Sequence, residues 1–238
     1  MVVTPTSRVT MTIKRSIYFL TCFSLFFAAA LDLQAQVKDF QTWWEVELEK
    51  QLTGKLDLSG ELEQRFKNNS TQYSRTLLTI AASYDVLDYL RMSGGARSIF
   101  VMDREQQLHP RYRFHFDLMG RYDLSGIKFS LRSRLQYGFE DLMAFRYFRL
   151  NSLVNRNRLK ATYHIFGTRF DCFASLESWH GSDIESQWQT FALRYAAGAS
   201  YSLNFSSRFS LRYILEDEFN VVNPMQLHVL VMGYSYSF

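Results

Sequence analysis

The chain has 238 residues, 47% hydrophobic and 16% aromatic, with a formal charge of +4 and two cysteines. So small a net charge gives no argument for nucleic-acid binding by bulk electrostatics. Cys22 lies inside an apolar leader, which leaves Cys172 alone in the remainder and excludes an intramolecular disulfide or a cysteine metal site there.

Residues 1–35 read as a secretory signal peptide: Arg8, Lys14 and Arg15 precede the apolar run Ile17–Leu31, and Leu33-Gln34-Ala35 offers a cleavage site before Gln36. That run is short for a membrane helix, and no later segment reaches the ~18 apolar residues one needs. Residues 36–238 show no composition shift and read as a single domain.

Its elements are strands, because side chains alternate in polarity with the period of two that a strand imposes. Asp39–Leu52 and Lys55–Lys67 form a first hairpin around Thr53-Gly54. Its apolar side carries Leu56, Leu58, Leu62 and Phe66; its polar side carries Glu45, Glu47, Asp57, Glu61, Glu63 and Arg65 and is net acidic. Tyr73–Val86 and Leu90–Met102 form a second pair.

The central hairpin follows, Arg111–Leu124 and Ile127–Glu140, closed by Ser125-Gly126. One face holds Tyr112, Phe114, Phe116, Leu118 and Tyr122, continued by Phe129, Leu131, Leu135 and Tyr137. The other holds Arg111, Arg113, His115, Asp117 and Arg121, continued by Lys128, Arg132 and Arg134, and is net basic. Globular strands run about 5–6 residues, and these arms are more than twice that. Tyr112 and Tyr122 are separated by roughly 25 Å of height at ~3.3 Å per residue and a tilt of about 40°, the height of the apolar band on an outer-membrane barrel.

After Glu140 the alternation weakens. Phe145–Val154 is read as a strand, followed by Leu159–Ile165, Phe170–Trp179, Gln187–Leu203, Arg208–Glu218 and Leu227–Phe238. The expected fold is therefore all-β, an antiparallel transmembrane β-barrel of about twelve strands, with ten as the alternative. Eleven is set aside because it would make the first and last strands parallel. Twelve leaves one conflict, since the tight turns of the first half then fall on the opposite end from those of the second.

The last residues, Tyr234, Tyr236 and Phe238, alternate with Gly233, Ser235 and Ser237. They resemble the aromatic signature that barrel assembly machinery recognises at the end of outer-membrane proteins. Beyond that, Trp43-Trp44, the run Glu61–Phe66, the Arg132/Arg134 strand, Glu177 and the final Phe238 resemble a family of small Gram-negative outer-membrane barrels known only as a domain of unknown function. The resemblance covers most of residues 39–238. It implies a bacterial outer-membrane location, with outer-membrane lipids and the assembly machinery as partners, and leaves activity and oligomeric state open.

With the apolar face toward lipid, the charged face lines the lumen. An acidic wall facing a basic one gives a transverse field, and such charge patterns tune which solutes a pore passes. The expected role is a small passive channel or a structural envelope component. Two alternatives are carried. In the first, His180 and Ser182 serve as base and nucleophile of a lipid hydrolase, following triad logic. In the second, a secreted soluble barrel turns its apolar face inward around a hydrophobic ligand. No phosphate-cradling glycine loop is present, and His109, His115, His164, His180 and His228 lack metal-ligand spacing, so no cofactor or metal is expected.

Overall fold

The computed structural model describes residues 37–102, 107–139, 152–182, 188–221 and 224–238. Within them lie eleven strands: β1 Val37–Gln51, β2 Leu56–Lys67, β3 Gln72–Leu87, β4 Leu90–Met102, β5 Leu108–Leu124, β6 Ile127–Phe139, β7 Ser152–His164, β8 Phe170–Ser182, β9 Gln189–Ser202, β10 Ser207–Glu218 and β11 Met225–Ser237. Each pairs with its sequence neighbour, and β1 pairs with β11 to close the barrel.

The closing pair is parallel and runs from Val37 opposite Met225 to Glu49 opposite Ser237. Every other neighbouring pair is antiparallel. The all-β barrel is thus as expected, with eleven strands in place of twelve. One β7 runs through Ser152–His164, where two strands, Phe145–Val154 and Leu159–Ile165, were expected. Residues 145–151 of the first, like the leader 1–35, lie outside the described residues.

Eleven strands also remove the conflict over turns. The connections 52–55, 88–89, 125–126, 165–169 and 203–206 all lie at one end, together with Phe238. The strand ends Lys67 and Gln72, Met102 and Leu108, Phe139 and Ser152, Ser182 and Gln189, and Glu218 and Met225 lie at the other. We call these the turn end and the loop end. The two-residue turn between β5 and β6 is built by Ser125 at φ 51° and Gly126 at φ 87°. Two consecutive positive φ values give the I′ geometry whose twist matches the flanking strands.

Strand faces sort by polarity. Phe114, Phe116, Leu118, Tyr122, Leu131 and Leu135 are exposed on the outside, while Tyr112, Phe129 and Tyr137 are half-buried there. The alternate positions point inward, where His115 and Asp117 are buried. The apolar face is outside and the interior is charged, the reverse of the inward-facing apolar cavity that a soluble carrier of hydrophobic ligands needs.

On the β9–β11 side the interior is packed by Trp43, Ala196, Ile214, Val229, Val231 and Leu227. Gly198 matters to this packing. A Cβ there would run into the Leu211 carbonyl and the Arg212 backbone, so the close approach of β9 and β10 requires glycine.

Candidate functional site

The barrel interior gathers charge from nearly every strand. Among the described residues the interior holds a cavity of about 550 Å3 toward the loop end and one of about 250 Å3 toward the turn end. Glu45, Glu47, Glu61, Lys160, Phe173 and Arg212 line both, and so form a collar between them.

Of the residues expected in the lumen, Glu45, Glu47, Glu61, Glu63, Arg65, Arg113, Arg132 and Arg134 line the larger cavity. Asp117 lies buried behind it, bonded through both oxygens by Arg134 at 2.6 Å. Asp57 and Arg121 belong to a cluster nearer the turn end. There Arg91 bridges Asp57 and Asp85 at 2.8 Å each, and Arg121 pairs with Asp85. Arg111 and Lys128 share the inward register but are exposed at the two rims. His115 is buried with its ring against Gly95, where an added Cβ would collide with it.

The register concentrates like charges. Glu45 faces Glu63 and Glu47 faces Glu61 across β1 and β2. Arg65 faces Arg75, Arg97 faces Arg113, and across β6 and β7 Arg132 faces Arg158 while Arg134 faces Arg156. Like charges directly opposite each other on a sheet are destabilising, so each row must find compensation elsewhere. Arg65 holds Glu63 at 2.6 Å, Arg97 reaches Glu61 at 3.3 Å, and Arg212 pairs with Glu45. Ligand atoms of Glu45, Glu61 and Glu63 come within 4.8 Å of one another, but each of the three already has an arginine.

On the far wall, Glu177 is only 3% exposed and accepts from Arg132 and Arg156 at 2.7 Å each, with Arg194 at 3.9 Å. Arg194 also pairs with Glu216. Sequence reasoning missed Arg156, Arg158 and Lys160, and with them the centre of the basic wall. They occupy alternate positions of β7, almost diametrically across from β1 and β2.

Two indole rings tie the walls together. The Arg65 guanidinium lies 3.6 Å from the centre of the Trp43 ring. Arg194 sits between Trp43 at 5.5 Å and Trp179 at 4.9 Å, and Arg156 covers Trp179 at 3.9 Å. The resulting ladder, cation–ring–cation–ring–cation, runs from β2 to β7 inside the barrel. Desolvated contacts of this kind are worth about 2 kcal/mol or more each.

His180 lies apart from these charges. Its Nε2 is 2.9 Å from Ser178 Oγ and its Nδ1 is 2.8 Å from Thr190 Oγ1. The hydroxyls beside the imidazole are therefore those of Ser178 and Thr190; the side chain of Ser182 lies outside the described residues. On the last strand, Phe209 packs on Tyr234 at 5.0 Å and Tyr236 on Phe238 at 5.7 Å. The Phe238 N–H donates to the Glu49 carbonyl at 3.0 Å, which fastens the end of the sequence to β1.

Fold and interior together define a closed β-barrel that is apolar outside and ionic within. The chain belongs to the family described as protein of unknown function (DUF2490), which matches residues 40–223. No curated protein matches it.

Proposed function

We propose that the protein is an outer-membrane barrel, exported by the leader at 1–35, that passes small polar solutes through its charged interior. The carrying observation is the sorting of side chains by face. A belt of exposed Phe, Leu and Tyr surrounds buried arginines and carboxylates, and lipid is the solvent that rewards that arrangement. Strands of twelve to seventeen residues give roughly 30 Å of height or more at a tilt of about 40°, enough for the hydrocarbon layer.

Closure supports the same reading, because a closed barrel leaves no sheet edge unpaired in lipid. So does the placement of short turns at one end and longer connections at the other, the pattern of periplasmic turns and outer loops. In this orientation the turn end, with Phe238, is periplasmic.

Within the pore the collar is the selectivity element. Three glutamates on the β1–β2 side oppose Lys160, whose Nζ lies over the Phe173 ring at 4.4 Å. Solutes cross the field between them. In planar bilayers the purified barrel should give discrete conductance steps. Lys160→Glu should move the reversal potential in a salt gradient toward cation preference. A folded barrel that inserts and stays silent would contradict the channel reading.

A further inference from the structure

The larger cavity is lined by eleven basic and seven acidic side chains. The surplus centres on β6 and β7, where Arg132, Arg134, Arg156 and Arg158 form a two-by-two block on one wall. Among the described residues, Glu177 and Asp117 are the acids that meet this block, which leaves it two charges short of balance there. Arg158 is the clearest case. It stands opposite Glu177 in register, but Arg132 and Arg156 already hold both carboxylate oxygens. Among the described residues, no acidic group lies within ion-pair distance of Arg158. The Nε atoms of Arg132, Arg156 and Arg158 are all buried without a hydrogen-bond partner.

Each of these features costs stability: four like charges in adjacent register, a guanidinium with no ion pair among the described residues, and three orphaned donors. Proteins break such local rules mainly at functional sites. The missing element has a definable chemistry. It is negative, because it must offset the surplus. It carries several oxygen acceptors, because the donors are arginine forks, which match oxyanions bidentately. It comes from water and not from the lipid phase, because the block faces the interior cavity.

We propose that the β6–β7 arginine block is a binding site for a multiply charged oxyanion of the phosphate class. The proposal rests on the pore reading only for the anion's route to the site. Arg132 and Arg156, fixed by Glu177, and Arg134, fixed by Asp117, hold the frame. Arg158, which has no ion-pair partner among the described residues, supplies the free fork.

The test is calorimetric titration of the detergent-purified protein with inorganic phosphate at constant ionic strength. Saturable binding is expected. Arg158→Gln should weaken it by at least about tenfold, the loss for one charge-assisted hydrogen-bonding group. Arg169→Gln, at the exposed turn between β7 and β8, should leave it unchanged. Arg158→Gln breaks no ion pair of the described residues and should retain the heat-modifiable gel mobility of a folded barrel. If it does not, Arg158→Lys, which keeps the charge and loses the fork, should show weakened binding. No saturable binding, or undiminished affinity in the folded Arg158 variant, would overturn the site. A silent bilayer with intact phosphate binding would refute the pore and leave the site; discrete conductance without phosphate binding would do the reverse.

Discussion

Leu135→Arg should cost the barrel about 2–4 kcal/mol of folding free energy in a bilayer, the penalty for arginine near the midplane of a lipid-facing strand. Leu135 sits near the middle of β6, is 46% exposed, and lies opposite Phe116, itself 48% exposed. In water the same change would be mild, since substitution at an exposed position away from special features usually moves stability by less than about 0.5 kcal/mol. The two solvents thus give opposite expectations for one variant. Unfolding by urea from lipid vesicles, followed by tryptophan fluorescence, gives the difference. Phe205→Arg, at the exposed turn between β9 and β10, is the matched control and should be nearly silent. Equal, small effects from both variants would place the outer face in water.

Glu177→Gln should be the most damaging single change inside the barrel, at about 3–5 kcal/mol, the range for removing one partner of a buried ion pair. The side chains are nearly isosteric, so the loss is electrostatic and no cavity is involved. Arg132 and Arg156 lose the carboxylate charge they share at 2.7 Å, and Arg194 loses the more distant of its two acids, at 3.9 Å. The diagnostic is coupling. With Glu177→Gln in place, adding Arg156→Gln should restore part of the stability, because it removes a charge that no longer has a partner. Strictly additive losses in the double variant would show that Glu177 does not neutralise this wall.

Most of the barrel was legible in the sequence because the faces of most of its strands alternate in polarity. The central hairpin gives Phe114, Phe116 and Leu118 outward and Arg113, His115 and Asp117 inward, and the structure places them so. The turn at Ser125-Gly126 was equally plain, since few residue pairs adopt two positive φ angles.

The strand count failed at β7 for a local reason. Its inward positions are Arg156, Arg158 and Lys160, but its outward positions include Asn155 and Asn157. With both faces polar there is no alternation to read. The outward amides are satisfied sideways: Asn157 donates to Asn155 at 2.6 Å, and Asn155 to Ser133 Oγ at 3.2 Å. The periodicity that remained, three basic residues at every second position, was the available sign of the basic wall. Closure failed for a different reason. A count that allows only antiparallel neighbours rejects eleven strands, whereas the chain accepts one parallel seam, Val37–Glu49 against Met225–Ser237.

The ionic contacts were beyond sequence reasoning altogether. Alternation assigns a charge to a face but does not say which carboxylate an arginine reaches. Glu177 and Arg132 are partners only because β6, β7 and β8 stand side by side. The Trp43–Arg194–Trp179 stack likewise joins residues of β1, β9 and β8.

The neighbours Trp43 and Trp44 allow the central claim, an apolar belt in lipid around a polar interior, to be measured directly. Trp43 is 2% exposed and points inward; Trp44, in the middle of β1, is 51% exposed on the outside. In vesicles whose acyl chains carry bromine near the bilayer centre, the protein's tryptophan fluorescence should be quenched. Trp44→Phe should remove most of that quenching and Trp43→Phe little of it. Absence of quenching, or quenching that survives Trp44→Phe unchanged, would contradict the membrane-embedded barrel.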